Sequence, residues 1–215
     1  MNVVVFGATG ATGRLVVESA LSADHVVTAF VRDPKRLPLT HQNLRIVKGD
    51  AMDPASVAYA VRGADAVICT LGVIPQAKED LRRRQLGVPV CSVGTKNILA
   101  AMPRGRGRLI VESSVSVGES YRTGSFGAGF IVKLALKEVM ADKEKQESAV
   151  RESDCDWTIV RPATLTNKPA SGSLKSGTDL RWSITSTASR ADVAEYMVTI
   201  LNDVTTHKKA ITLRN

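Results

Sequence analysis

The glycine-rich segment at residues 7–13 constrains the fold of this chain more than any other feature of its sequence. The residues before it, Asn2–Phe6, form a β-branched run that predicts a buried strand. The residues after it, 14–21, carry apolar side chains at helical spacing. A strand, a glycine turn and a helix in this order form the first half of a βαβ unit, the building block of an α/β fold.

Apolar runs and helical segments alternate along the rest of the chain. After the first strand, we predict strands at residues 25–31, 44–47, 64–71, 108–112, 157–160 and 210–213. The predicted helices are residues 14–21, 54–61, 93–102, 130–152 and 190–201. Because the predicted strands are apolar on both faces, the pattern indicates an α/β fold: a doubly wound (Rossmann) parallel sheet with helices on both faces.

Length and composition are those of one globular domain. The chain has 215 residues, of which 44% are hydrophobic and 23% are charged, so it can bury a core without disulfides. Its three cysteines and three histidines are scattered along the chain, which argues against a disulfide framework and against a metal site. We expect a single domain, residues 1–215, in which residues 165–190 form a small C-terminal flap over the substrate.

Charge and hydropathy narrow the choice of partners. The net charge of +8 favours anionic partners, and no apolar run approaches the roughly 20 residues of a membrane span. Because the chain starts without a basic leader or cleavage signal, we expect a cytoplasmic protein without membrane contact. Nucleic acid is not expected, because no aromatic residue lies among Arg104, Arg106 and Arg108 to stack on bases.

The spacing of the three glycines indicates which ligand the turn binds. Gly7 permits a tight turn, Gly10 lets the backbone approach a pyrophosphate, and Gly13 lets helix and strand pack closely. The free amides of the helix N-terminus then face the anion. We therefore predict a dinucleotide site that includes the turn residues Gly7, Thr9, Gly10, Ala11, Thr12 and Gly13.

The residues after the second predicted strand indicate which dinucleotide is preferred. An NAD-selective site has an acidic residue there, on the ribose 2′-hydroxyl. In this chain Arg32 comes first and Arg36 follows, and guanidinium groups suit a 2′-phosphate because they donate charge-assisted, bidentate hydrogen bonds. We predict that NADP(H) is the cofactor, although Asp33 could still serve NAD.

Several motifs together carry a family resemblance. They are GATGATG, VRDPKRL, GDAMD, TLG at 70–72, TKNILAAM at 95–102, the serine pair at 113–114 and DWTIVRPATL at 156–165. In this order they resemble the atypical short-chain dehydrogenases. The chain looks closest to the biliverdin-IXβ reductase/flavin reductase group and to the NmrA-like NAD(P)-binding proteins.

The resemblance implies further cofactor contacts at the ends of the later strands. Asp50, with Ala51 beside it, looks like the residue that contacts adenine. The other implied contacts are Thr70, Leu71 and Gly72 along the adenosine ribose and pyrophosphate, Ser113 and Ser114 beside the nicotinamide, and Pro162, Ala163 and Thr164 near its carboxamide. These positions agree with the rule that ligands bind outside the carboxyl ends of the strands.

The candidate catalytic residues are Ser114, Ser113 and Lys143. Lys143 resembles the lysine of the family's Tyr-x-x-x-Lys helix, which holds the nicotinamide ribose, but Val139 stands where the tyrosine would be. We expect Ser114 first and Ser113 second to hydrogen-bond the acceptor, with Tyr121 as a possible replacement acid. Each of these serines could instead cap backbone groups at the strand end, and Lys143 could be a solvated helix residue.

These features predict an NADPH-dependent oxidoreductase that transfers hydride to a conjugated acceptor such as a flavin, a quinone or a tetrapyrrole. A conjugated acceptor delocalises charge and needs a protein acid less, which suits the absence of the tyrosine. The excess of positive charge would suit an anionic acceptor, and we expect a monomer or a weak homodimer. The alternative is an NmrA-like redox sensor that binds NADP(H) without turnover; a sugar-nucleotide epimerase is disfavoured by the missing tyrosine.

Overall fold

An eight-stranded sheet forms the centre of the computed structural model, which describes residues 1–72, 89–103, 105, 107–125, 127–129, 132 and 136–215. The strands of the chain are β1 (Asn2–Phe6), β2 (Val26–Val31), β3 (Leu44–Lys48), β4 (Ala66–Cys69), β5 (Arg108–Glu112), β6 (Asp156–Pro162), β7 (Thr164–Thr166), β8 (Lys175–Gly177), β9 (Thr187–Ser189) and β10 (Lys209–Arg214). The central sheet has the order β3-β2-β1-β4-β5-β6-β10-β8. All its neighbours pair in parallel except β8, which lies antiparallel to β10 at the edge.

Helices cover both faces of this sheet, as the sequence predicts. Among the described residues they are α1 (Ala11–Ser22), α2 (Pro54–Val61), α3 (Val90–Ala101), α4 (Ser120–Thr123), α5 (Lys137–Arg151) and α6 (Arg190–Thr199). Helices α1 and α6 pack together on one face, while α2, α3 and α5 cover the other. The doubly wound (Rossmann) α/β fold is therefore confirmed.

The strands bury alternate side chains on opposite faces, because the side-chain period of a strand is two. In β1, Val3 and Val5 pack under α1 and α6, whereas Val4 and Phe6 pack under the helices of the other face. Strand order reverses between β1 and β4, so the chain leaves these two strands in opposite directions. Such a reversal opens a crevice at the carboxyl ends of the strands, where α/β proteins bind ligands.

Several helix boundaries differ from the prediction; α1, for example, begins at Ala11 and not at residue 14. Helix α3 begins at Val90, three residues before the predicted start, because Asp142 of α5 accepts hydrogen bonds from the amides of Cys91 (2.9 Å) and Ser92 (3.0 Å). This long-range cap satisfies amides that a helix end otherwise leaves free. The predicted helix at 130–152 is described as α5 only from Lys137, and residues 130, 131 and 133–135 lie outside the described residues.

The segment that we expect to form a flap is attached to the body of the protein at several points. Its β7 and β9 pair with each other in parallel, and β8 joins the edge of the central sheet. Trp182 is 3% exposed, and its indole Nε1 donates to the carbonyl of Ser120 at 2.8 Å. That this segment covers a bound substrate stays a prediction.

Candidate functional site

The glycine turn after β1 has the geometry that its sequence requires. Gly7 has a φ of +80°, a left-handed conformation that favours glycine. A Cβ atom on Gly7 would lie 2.6 Å from the carbonyl oxygen of Thr70, and one on Gly13 would lie 2.6 Å from the Thr70 hydroxyl. The turn can therefore pack against the end of β4 only because these positions lack side chains.

The first turn of α1 leaves its amides open at the edge of the sheet. Gly10 is the N-cap residue, and no side chain caps this helix end. Gly10 and Ala11 are exposed, Thr9 is half-buried, and Thr12 is buried. An uncapped helix N-terminus combines free N–H donors with the positive end of the helix dipole, which suits an anion. The cradle formed by the glycine turn thus fits a dinucleotide diphosphate.

The other predicted contacts lie along the same edge, because they follow strands that run parallel to β1. Arg32 follows β2, Asp50 follows β3, and Thr70 follows β4. Ser113 follows β5, and Ala163 follows β6. The structure thus brings the sequence-predicted residues to one end of the sheet, on both sides of the strand reversal.

The two arginines after β2 are available for a ligand. Arg32 and Arg36 are both exposed, and neither has an ion-pair partner among the residues that the structure describes. Asp33 is used differently, because its carboxylate accepts from the amide of Lys35 at 3.1 Å and caps the 3₁₀ turn Pro34–Arg36. The acidic side chain that could have served the ribose 2′-hydroxyl of NAD is thus held by its own turn.

The expected adenine side is built from the ends of β3 and β4. The Asp50 carboxylate is exposed and accepts from the amide of Met52 at 2.9 Å. Ala51 is buried, and its carbonyl accepts from the side-chain amide of Asn97 at 2.8 Å. The carbonyl of Leu71 accepts from the Cys91 thiol at 3.2 Å. Both strand ends are therefore tied to α3, and Gly72 is exposed beside them.

On the expected nicotinamide side, Ser113 and Ser114 differ in their hydrogen-bond partners. The hydroxyl of Ser113 donates to Glu147 at 2.6 Å and is buried. Ser114 is half-buried, and its hydroxyl has no hydrogen-bond partner within the described part of the chain. Lys143 is buried, not solvated, and its Nζ donates to the carbonyl of Glu112 at 3.0 Å. Of Ser113, Ser114 and Lys143, only Ser114 has a polar side-chain group without a described partner.

At the end of β6, backbone groups of Pro162, Ala163 and Thr164 already form hydrogen bonds within the protein. The carbonyl of Pro162 accepts from the amide of Val115 at 3.2 Å. The amide of Ala163 donates to Leu213 at 2.9 Å, and the amide of Thr164 donates to Ser186 at 3.2 Å. A carboxamide placed here would therefore meet the exposed side chain of Thr164 and not these amides.

A buried ion-pair cluster supports this side of the site, and the sequence reading missed it. Arg161 is 1% exposed and donates to both carboxylate oxygens of Glu147 and, at 3.1 Å, to Glu119. Burial raises the pKa of Glu119, but hydrogen bonds from Arg161 and Arg151 outweigh it and lower that pKa to about 2. The available signal was a charged residue, Arg161, inside an otherwise apolar strand.

Glu112 is a second buried ionisable side chain, and the sequence analysis does not predict a role for it. It ends β5, is 7% exposed, and its Oε1 has no hydrogen-bond partner. Burial raises the pKa of Glu112, while nearby Lys143, a hydrogen bond from Thr12 and the charge of Arg190 act against this. Thr12, a residue of the glycine turn, thus lies close to the carboxyl of Glu112.

A cavity of about 460 Å³ lies between the loop after β5 and helix α5. Tyr121, which is 44% exposed, lines it together with Ser116, Glu147 and Arg151. Tyr121 therefore lines a cavity that neither Ser114 nor the glycine turn lines.

Other features of the described residues concern partners that the sequence analysis does not expect. Arg108 is buried and donates to the carbonyls of Ile200 (2.8 Å) and Leu201 (3.3 Å); Arg104 and Arg106 lie outside the described residues. Within the described ranges, no group of three or more His, Cys, Asp or Glu side chains could hold a metal ion. None of the helices described there is long and apolar enough to cross a membrane.

Comparison with known sequences finds relatives of the whole chain. Residues 7–204 match the model of a family described as NAD(P)H-binding. YhfK of Bacillus subtilis, described as an uncharacterized sugar epimerase, is 28% identical over 99% of this chain and 94% of its own length. An uncharacterized chloroplastic protein of Arabidopsis thaliana is 29% identical over 80% of this chain, which spans 62% of the length of that relative.

Comparison with solved structures finds the same fold. ChuY from Escherichia coli O157:H7, described as an anaerobilin reductase, superposes with a TM-score of 0.81 at 24% identity, covering 99% of this chain and 96% of its own. A short-chain dehydrogenase/reductase from Veillonella parvula, solved in complex with NADP, has a TM-score of 0.79 at 18% identity, covering 100% and 94%. At these identities the likeness shows the fold.

Proposed function

The chain belongs to the family of NAD(P)H-binding proteins, and we propose that it is an NADPH-dependent oxidoreductase that transfers hydride to a conjugated small-molecule acceptor such as a flavin, a quinone or a tetrapyrrole. The observation that carries the proposal is the uncapped N-terminus of α1 behind the glycine turn, with the exposed Arg32 and Arg36 on the neighbouring strand end. A diphosphate and a 2′-phosphate are the anions that such donors fit.

Different groups of the chain would bind different parts of the cofactor and the acceptor. The amides of the first turn of α1 bind the diphosphate, and Arg32 with Arg36 binds the 2′-phosphate. When bound, the nicotinamide supplies the hydride, so the protein has to supply position and electrostatics. The hydroxyl of Ser114, which has no partner within the described residues, is free to hydrogen-bond the acceptor.

A conjugated acceptor suits a site without a strong protein acid. Val139 occupies the position of the family's tyrosine, and the hydroxyl of Ser113 is already donated to Glu147. A flavin, quinone or tetrapyrrole spreads the added charge over its ring system and so needs less help from a protein acid. The name of ChuY, an anaerobilin reductase of the same fold, agrees with an acceptor of this kind.

A redox sensor is the second candidate. Val139 in place of the tyrosine also favours it, because a protein that only binds NADP(H) needs no proton donor. A sensor would still use the glycine turn and the arginines after β2. The two candidates therefore agree on cofactor binding and differ on turnover.

Turnover distinguishes the two functions. The purified chain is mixed with NADPH and, separately, with flavins, quinones and biliverdin, and the loss of nicotinamide absorbance is followed. We expect oxidation with at least one acceptor, and we expect Ser114→Ala to lower kcat about tenfold or more, the worth of one hydrogen bond to developing charge. Ser148→Ala, on the exposed part of α5, is the control. Tight NADPH binding without turnover of any acceptor would favour the sensor.

A further inference from the structure

Glu112 is a buried carboxyl at the end of a strand whose three preceding residues are apolar. It follows Leu109, Ile110 and Val111 in β5, all 0% exposed, and is itself 7% exposed. The carboxyl lies close to the hydroxyl of Thr12, and its Oε1 has no hydrogen-bond partner among the described residues. An unpaired carboxylate in such surroundings costs several kcal/mol, so the side chain needs an explanation.

The position of Glu112 relates it to the dinucleotide site. Thr12 is the second residue of α1, between Gly10 and Gly13. In the sheet, Cys69 of β4 pairs with Val111 of β5, so Thr70 and Glu112 both follow this pair. Thr70 contacts the positions of Gly7 and Gly13. The Glu112 carboxyl therefore lies directly behind the turn of α1 whose amides face the expected diphosphate.

Two cations lie near this carboxyl without a described hydrogen bond to it. Lys143 of α5 donates to the carbonyl of Glu112 and not to its side chain. Arg190, at the start of α6, donates to Asn167 at 2.7 Å. Both charges lower the pKa of Glu112, but burial has the larger effect and raises it. On β4, burial also raises the pKa of the thiol of Cys69 and keeps that neighbour neutral.

We propose that Glu112 is a positioning residue for the dinucleotide. As the neutral acid, Glu112 lies beside the hydroxyl of Thr12 and can donate a hydrogen bond that holds the first turn of α1 against β5. As the carboxylate, it places a negative charge directly behind the amides that receive the diphosphate. The proposal rests on the dinucleotide binding of the proposed function, but not on the identity of the acceptor or on turnover.

The negative charges of Glu112 and of the diphosphate determine how NADPH affinity changes with pH. A bound diphosphate repels the carboxylate, so the pKa of Glu112 is higher in the complex than in the free protein. NADPH affinity is then constant at low pH and falls as the pH rises through the ionisation of the free protein. At pH values between the pKa of Glu112 in the free protein and its pKa in the complex, NADPH binding is accompanied by uptake of a proton at Glu112. Each unit of difference between the two pKa values corresponds to about a tenfold change in affinity.

The test is calorimetric titration of the wild-type chain with NADPH from mildly acidic to alkaline pH, in buffers of different ionisation enthalpy that reveal proton uptake. We expect the NADPH affinity of the wild type to fall about tenfold or more as the pH rises. Proton uptake on binding should appear at the pH values over which the affinity falls. Glu112→Gln has the shape of the neutral acid but cannot ionise. It should keep the low-pH affinity at every pH and lose this proton uptake.

Thermal melting without ligand gives an independent readout. Because burial raises the pKa of Glu112 in the folded protein, its stabilising contribution is present below the unfolded pKa and is lost as the pH rises through the folded pKa. Glu112→Gln should therefore melt at a higher temperature than the wild type at neutral and alkaline pH. Glu152→Gln removes an exposed acid that follows the last turn of α5 and should keep the wild-type melting and binding profiles.

Several outcomes would overturn the proposal. One is a Glu112→Gln variant with the wild-type pH dependence and proton uptake. Another is a variant that binds NADPH much more weakly at all pH values. Failure of Glu112→Gln to fold would also overturn the proposal. The glutamine side chain has the same shape as protonated Glu112, which the proposal takes to fit the folded protein. Absence of NADPH binding to the wild type would instead overturn the proposed function.

Discussion

We propose that the side chains of Arg32 and Arg36 determine which dinucleotide this chain prefers. Each is exposed and free of ion pairs with described residues. A hydrogen bond to a charged group contributes about 1.5–3 kcal/mol, and about 1.4 kcal/mol is a tenfold change in affinity. We expect Arg32→Ala and Arg36→Ala each to weaken NADPH binding about tenfold or more and to leave NADH binding unchanged, measured by calorimetry.

A matched control for these arginines lies one strand away. Arg45 of β3 is also exposed, but its guanidinium donates to the hydroxyl of Tyr59 at 2.6 Å. Arg45→Ala should therefore leave the affinity for both dinucleotides within about twofold, as for a surface change distant from the site. Equal binding of NADPH and NADH by the wild type would show that neither arginine reads a 2′-phosphate.

Local spacing and long-range contact explain which site residues the sequence could predict. The roles of Gly7, Gly10 and Gly13 follow from positions three residues apart, so the motif alone predicts the turn. The partners of Ser113 and Lys143 are different. They lie on elements far away in the chain, and periodicity says nothing about which buried polar groups meet across a fold.

At the scale of elements, the first turn of α6 anchors the segment 165–190. Asp192 is 4% exposed and accepts from the amide and hydroxyl of Ser171, both at 2.9 Å. It also accepts from the Ser189 hydroxyl at 2.7 Å and from Asn215 at 3.0 Å. Burial raises the pKa of Asp192, but these hydrogen bonds outweigh it and lower the pKa to about 2.

Asp192→Asn should destabilise the protein at neutral pH. An amide cannot accept all of these hydrogen bonds and adds donors that would face other donors, so we expect a loss of about 3 kcal/mol, measured by denaturant unfolding. Because the folded pKa is depressed, the contribution of Asp192 is present above the unfolded pKa of 3.8 and is lost as the pH falls toward 2. The difference between wild type and variant should therefore shrink below about pH 4.

The control for this element is an exposed acid in the same segment. Asp179 accepts only from the neighbouring Thr178 hydroxyl, at 3.3 Å. Asp179→Asn should change the free energy of unfolding by less than about 0.5 kcal/mol. If the two variants were equally stable at neutral pH, Asp192 would not anchor the segment.

Element type was easier to predict than element ends. Apolar runs predicted the strands of the central sheet apart from the short edge strand β8, because a buried strand is apolar on both faces. The start of α3 at Val90 depends on Asp142, which belongs to another helix. The attachment of β8 to β10 is a tertiary pairing of three residues in a polar segment, and no local pattern marks it.

For the whole molecule, the central claim is that the strand reversal between β1 and β4 holds a dinucleotide. A ligand that binds only the folded chain stabilises it by about 2.7 kcal/mol at a concentration one hundred times its Kd. For a chain of this length, that corresponds to a rise in Tm of roughly 5–10 °C. Gly10→Val should abolish the rise, because its side chain would fill the approach to the diphosphate.

Titration of NADPH into the purified chain, followed by calorimetry, is the most direct test of this claim. We predict saturable binding to one site per chain and weaker binding of NADH by about tenfold or more. Gly10→Val should lose the binding, and Gly177→Ala, whose added Cβ would lie 3.6 Å from Leu180, should retain it. Absence of heat and of any rise in Tm with NADPH and with NADH would contradict the account.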